Sequence, residues 1–210
     1  MSDDTVLQPD WVAPQRTALV LIDCQVDFGS LDGEMVKRGA DVKPALAAVV
    51  RAEALAQAAR GAGVRIVFVR LLSHPGGDNA IAREAKARHG KAEPDLCVEG
   101  TRGADFIGPQ PASGDMVISK TRFSAFARTG LAEQLHAQQI DTLVLAGLTT
   151  ECCVASSAWD AFERDLHIFI ASDACAAYED SLHREALRAL EMSGAILATT
   201  AQFASAWEIQ

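Results

Sequence analysis

The sequence predicts an α/β protein built on a parallel sheet that helices cover on both faces. Three observations lead there. Six short runs are rich in β-forming residues, the runs are apolar rather than alternating, and helical patterns separate most of them. A strand with one wet face alternates apolar and polar residues. Continuous apolar runs need cover on both sides, which is the habit of parallel sheets.

After a polar arm to about Arg16, TALVLID (17–23) reads as the first strand, bounded by an acid. From Asp41 to Arg60 an alanine- and leucine-rich helical pattern takes over, and GAG (61–63) supplies its stop. VRIVFVR (64–70) is the second strand and DMVISK (115–120) the third. DTLVLAG (141–147), HIFIAS (167–172) and AILATT (195–200) complete the set. Helical patterns fill Gly130–Gln139, Glu151–Arg164 and Ser181–Met192. The interval Leu71–Gly114 breaks the rhythm, with SHPGGDN, HGKAEPD and GTRGAD around one short amphipathic helix. Ligands of open α/β sheets bind beyond the carboxyl ends of the strands. This excursion begins at such an end, so it is expected to form a wall or lid of the site. There is no internal repeat and no dividing linker, so residues 17–210 are expected to form one domain behind an arm, 1–16.

The totals exclude several function classes. A chain of 210 residues with 49% hydrophobic residues can bury a sizeable core. A formal net charge of −9 argues against nucleic acid or an anionic membrane as the main partner. No apolar run reaches membrane-span length, and the acidic start MSDDTVLQPD does not read as a signal peptide. The five cysteines (Cys24, Cys97, Cys152, Cys153, Cys175) are odd in number and lack framework spacing, which fits free thiols in a reducing cytoplasm.

AGLTTECCVASSAWDAF (146–162) carries two adjacent cysteines just after a glycine. Zinc clamps space their cysteines by two to four residues, and neighbouring half-cystines make an awkward disulfide. The pair therefore means either catalysis or small thiols packed at a buried helix start. In a parallel sheet the first strand ends in Asp23, the third in Lys120, and the fourth runs into the helix that holds the thiols. Taken singly, Asp23 also suits a turn cap, Lys120 a solvated strand end and Cys153 a core position. Neighbours on a helix lie about 100° apart, so periodicity does not choose between the two thiols.

LVLIDCQVDF (19–28), VISKTRFSAF (117–126) and GLTTECCVASSAWDAF (147–162) resemble the three signature segments of the isochorismatase-like cysteine hydrolases. The resemblance runs in order from about Thr17 to Trp207. That superfamily includes nicotinamidases, N-carbamoylsarcosine amidase, ureidoacrylate amidohydrolase and the biuret and triuret hydrolases. The resemblance implies a three-layer α/β/α fold with a six-stranded, mainly parallel sheet. It also implies a catalytic Asp23–Lys120–Cys153 set, because the family's nucleophile is the cysteine followed directly by valine. The backbone N–H groups of Thr149 and Cys153 match the family's oxyanion hole, with a cis peptide expected at Leu148–Thr149. A helix start and a nearby ammonium are expected to lower the thiol pKa. Asp23 would take the thiol proton and later deliver it to the departing amine.

Within the family, members that cleave isochorismate lack the cysteine. Nicotinamidases generally carry a metal-binding Asp-x-His segment after the second strand, and VRLLSHPGGDNAIAREAKARHG (69–90) has none. His74 and His89 read as solvated loop residues, so no metal and no other cofactor is expected. The resemblance favours a hydrolase of small ureido or carbamoyl compounds. Arg70 is expected to face a substrate carboxylate or carbonyl, with a surface ion pair as its other reading. Phe28 and Phe123 are expected as apolar walls or as ordinary core. Gly100 and Gly103 are assigned to turns, and Cys97, Asp160 and Asp173 to structural roles. Other readings are a nicotinamidase-like amidase, a non-catalytic binding protein on this fold, and a thiol redox protein using Cys152 and Cys153. Family members are commonly dimers or tetramers, which implies a homodimer or homotetramer. The tail FASAWEIQ (203–210) either serves such an interface or packs on its own domain.

Overall fold

The computed structural model describes residues 7–74, 80–90 and 95–208. Six strands, β1 (Thr17–Ile22), β2 (Arg65–Leu71), β3 (Met116–Lys120), β4 (Thr142–Leu148), β5 (His167–Ala176) and β6 (Ile196–Ala198), form one sheet in the order β3-β2-β1-β4-β5-β6. Every strand pairing is parallel. The expected architecture is the one observed. The described part of the arm packs on the domain, since Leu7 and Val12 are core residues and the Trp207 indole N–H donates to the Val12 carbonyl at 3.0 Å.

Helices cover both faces because every residue of β1 and β4 is buried. On one face lie α3 (Lys43–Gly61) and α8 (Thr200–Glu208). In α3 the buried positions Ala45, Ala48, Val49, Ala52, Leu55, Ala56 and Ala59 recur at helical spacing, and their small size lets the helix lie close to the sheet. The other face carries α5 (Leu131–Ala137), α6 (Ala155–Phe162) and α7 (Asp180–Met192) over Ile22, Val69, Leu143 and Leu145. Two further short helices, α1 (Val26–Gly29) and α2 (Glu34–Lys37), follow β1, and α4 (Ala80–Arg88) lies in the excursion.

Two departures from the sequence pattern shape the site. The helix expected from Glu151 opens as a wider turn, Thr150–Val154, in which the Val154 N–H donates to the Thr149 carbonyl five residues back, at 3.1 Å. Gly147 has φ +120°, and a side chain there would fall on the Ile22 carbonyl oxygen. Only glycine lets the ends of β1 and β4 approach this closely. These strands are also where the chain switches from building outward on one side to the other, the position at which open α/β sheets hold their ligands.

Candidate active site

β1 delivers Asp23 to this crevice. Its N–H still bonds to the Val69 carbonyl at 2.8 Å, but its own φ of +51° turns the chain out of the strand. Aspartate tolerates this left-handed conformation better than most residues. Lys120 ends β3 and reaches across β2. Its ammonium donates to Asp23 Oδ2 at 2.7 Å, to the Arg122 carbonyl at 3.1 Å and to Cys153 Sγ at 3.3 Å. All three ammonium protons thus have acceptors. The Asp23 and Lys120 side chains are 0% exposed. Burial opposes a charged lysine, yet the Asp23 charge, Cys153 and their hydrogen bonds outweigh it and hold the ammonium above its usual range.

Cys153 is 7% exposed and sits on the turn that follows the cis Leu148–Thr149 peptide. The Thr149 carbonyl accepts from the Cys152 and Val154 N–H groups, each at 3.1 Å. The Thr149 hydroxyl donates to Glu151 Oε1 at 2.9 Å, and Thr150 Oγ1 bonds His183 Nδ1 on α7 at 2.8 Å. Contrary to the expected lowering, the Cys153 thiol is pushed up. A side-chain hydrogen bond with Cys152, burial and the Asp23 charge all favour the neutral thiol, and the Lys120 ammonium is the one group that opposes them. The same thiol–thiol contact favours charge on the more exposed Cys152. The surroundings of Cys153 thus favour its neutral thiol, with the Lys120 ammonium against the sulfur. Asp23 Oδ1 is buried and has no hydrogen-bond partner among the described residues. It is the free acceptor of the carboxylate that Lys120 holds through Oδ2, and the same ammonium links that carboxylate to the Cys153 sulfur.

The Isochorismatase domain model matches residues 17–202. The chain belongs to the isochorismatase family. It is 31% identical to ureidoacrylate amidohydrolase RutB of Methylobacterium radiotolerans over 95% of its own length and 82% of that protein. Its fold superposes on a cysteine hydrolase from Pseudomonas syringae pv. phaseolicola with a TM-score of 0.82 and 26% identity, covering 100% of this chain and 99% of that one. N-carbamoylsarcosine amidase from Thermoplasma acidophilum matches with a TM-score of 0.70 and 27% identity, over 88% and 96% of the two chains.

In this isochorismatase-family crevice the structure brings together Asp23, Lys120 and Cys153, with Thr149 at its rim. Arg70, near the end of β2, donates from Nε to Ser119 Oγ on β3 at 3.0 Å, one register step before Lys120. Phe28 is core, and its carbonyl accepts from the hydroxyl of the half-buried Tyr178 at 2.9 Å. Phe123, three residues beyond Lys120, is 63% exposed. His74 pairs with Glu99 at 2.8 Å and His89 is exposed. Among the described residues no group of three or more His, Cys, Asp or Glu is arranged to hold a metal ion.

Gly100 makes a turn with φ +77°, whereas Gly103 is there because a side chain would run into the Asp27 carboxylate. Asp160 and Asp173 are hydrogen-bonded as expected, the first to Ser124 and the second to the N-terminus of α8 at Thr200. Sequence reasoning missed Gln25 and Asp27. The buried Gln25 amide donates to the Leu71 and Ala104 carbonyls, each at 2.9 Å, and accepts from the Leu71 N–H at 2.8 Å. Asp27 accepts from the Cys97 N–H at 2.7 Å and the Glu34 N–H at 3.2 Å. Their one sequence signal is polarity inside an apolar segment, LVLIDCQVDF.

Proposed function

We propose that this protein is a cysteine-dependent amidohydrolase that cleaves a C–N bond of a small linear amide, a ureido or carbamoyl compound above all, with release of ammonia. The observation that carries this reading is the buried ammonium of Lys120, in contact with both Asp23 and Cys153 at the switch point of the sheet.

The chemistry follows from that contact. Asp23 takes the Cys153 proton as the sulfur attacks the amide carbon. The carbonyl oxygen becomes an oxyanion received by the Thr149 and Cys153 N–H groups, and loss of one such donor costs about 3 kcal/mol of transition-state stabilisation. Asp23 returns the proton to the departing nitrogen, which leaves as ammonia, and a thioester remains on Cys153. Asp23 then draws a proton from water, which attacks the thioester, and the sulfur departs and regains its proton. Lys120 holds the carboxylate in place and offsets charge on the sulfur. No step calls for a cofactor.

Relatives named for ureidoacrylate and N-carbamoylsarcosine support the ureido or carbamoyl class. Five free thiols support a reducing, cytoplasmic setting, and no helix among the described residues is long and apolar enough to cross a membrane. The exposed Trp159 and Phe162 on α6 and Met192 at the end of α7 support a homo-oligomer, a dimer or tetramer to be read by sedimentation.

The test is ammonia release from biuret, triuret, N-carbamoylsarcosine, ureidoacrylate and nicotinamide. Turnover of a ureido compound that survives Cys152→Ala and falls to background in Cys153→Ala is the expected result. Turnover that survives Cys153→Ala overturns the mechanism, and preference for nicotinamide overturns the substrate class.

A further inference from the structure

Two serines stitch the segment after Lys120 to the helix after Cys153. Ser157 Oγ, fully buried, donates to the Cys153 carbonyl at 2.7 Å and accepts from the Ala125 N–H at 2.9 Å. Ser124 Oγ donates to Asp160 Oδ2 at 2.7 Å and accepts from the Phe126 N–H at 3.0 Å. Each hydroxyl has one proton and two lone pairs, and each spends one bond within its own element and one across to the other. Asp160 Oδ1 pairs with Arg164 at 2.9 Å, whose guanidinium lies 5.6 Å from the centroid of the Phe126 ring and closes the outside of the clasp.

These bonds complete a ring through the reacting groups. Lys120 Nζ is held by the Arg122 carbonyl and touches Cys153 Sγ. Arg122 stands two residues before Ser124, on the stretch that the clasp fixes, and Cys153 stands on the turn whose carbonyl Ser157 grips. Of the two hydrogen-bonded links between these segments, the one through Ser157 is the nearer to the sulfur, since it grips the carbonyl of Cys153 itself.

We infer that Ser157 is a positioning residue that sets the Lys120–Cys153 contact, with Ser124 and Asp160 as the outer half of the same clasp. This rests on the amidohydrolase reading above. Removing the Ser157 hydroxyl leaves the Ala125 N–H buried without its acceptor and lets the loop and the turn drift apart. A misplacement of about 1 Å costs roughly a hundredfold in rate. The ammonium is also the group that favours charge on the sulfur, so its retreat makes the thiol harder to ionise.

The experiment compares Ser157→Ala, Ser157→Thr and Asp160→Asn in a Cys152→Ala background, with two readouts. One is kcat and KM for the best substrate of the panel. The other is the pH midpoint for alkylation of Cys153 by iodoacetamide, followed by peptide mass spectrometry, which needs no turnover. Ser157→Ala is expected to lower kcat roughly 10- to 100-fold with KM within about twofold. It is also expected to raise the alkylation midpoint by about one pH unit. Ser157→Thr, which keeps the hydroxyl, restores most of both. Asp160→Asn shows the same changes at roughly 3- to 10-fold in kcat.

A folded Ser157→Ala protein with an unchanged midpoint and unchanged kcat, altered only in melting temperature, overturns the inference. Should Ser157→Ala fail to fold, a flat response in Asp160→Asn overturns it equally. A midpoint that moves in a protein without turnover on the panel upholds the clasp and counts against the amidohydrolase reading instead.

Discussion

The two halves of the connection between β2 and β3 are held in opposite ways. From Asp95 to Gly108 the chain is tied to the end of β1 by β1's own neighbours. The Cys97 N–H goes to Asp27, the Val26 N–H to the Asp105 carbonyl, and the Ile107 N–H to the Cys24 carbonyl, at 2.7, 3.0 and 2.9 Å. Gln25 pins Ala104 and pairs with Phe106, whose ring packs edge-on against Phe68 in the core. The earlier half carries α4, whose described side chains are all exposed. One connection thus contains a segment tied to the end of β1 and a helix laid on the surface. Length and composition alone treat the two alike.

Substitutions can break or sharpen this contrast. The largest effect is expected from Asp27→Ala, which strips the acceptor from the Cys97 and Glu34 N–H groups together. Each buried donor left unsatisfied costs about 1–3 kcal/mol. Chemical denaturation should show a loss of several kcal/mol, with a matching fall in turnover as the chain beyond Asp23 loosens. Full activity in Asp27→Ala would mean that the tether does not steady the chain beyond Asp23.

Acid gives a smaller effect, on the crevice side. Burial holds His183 below its ordinary pKa of 6.5, against the charges of Asp180 and Glu151. The neutral ring beside Thr150 therefore contributes stability that is fully present above that value. It is lost as pH falls through the lower folded-state pKa. The melting temperature of the parent should drop more steeply below about pH 6.5 than that of His183→Gln; parallel profiles would remove His183 from the account. The smallest effect is expected on α4, where Ile81 is 76% exposed. Ile81→Ser should change stability by no more than about 0.5 kcal/mol, and a larger loss would show that α4 packs on something.

How much of this the sequence displays depends on where each residue's partners lie. β1, β2, β4 and β5 are legible because burial on both faces leaves long apolar runs. β3 is legible as a short β-forming run although it is an edge strand with exposed residues, and Asp23 and Lys120 are legible as polar groups at strand ends. The wider turn at Thr150–Val154 is not, since the same small residues suit an ordinary helix. Cys153 was distinguished from Cys152 only by resemblance to a family. The upward direction of its pKa shift is not legible, because the geometry of the Cys152 hydrogen bond, the depth of burial and the approach of Asp23 exist only in the folded chain and together oppose the ammonium. Gln25 and Asp27 were passed over for a similar reason. Apart from Glu34, their partners stand 46 to 79 residues further along, and a polar side chain looks the same in sequence whether it meets water or a distant backbone.

The central place of β1 also bears on how the chain is made. β2 can pair with one edge of β1 soon after synthesis, but the other edge belongs to β4, which begins about 120 residues later. At roughly 5–20 residues per second, a ribosome leaves that edge unpartnered for about 6–24 s. During that time a strand destined for full burial, Thr17–Ile22, presents open hydrogen-bonding groups to whatever is near. The strand that later carries Asp23 into the crevice is thus the nascent chain's most exposed liability, and slow translation or a scarcity of chaperones would be felt there first.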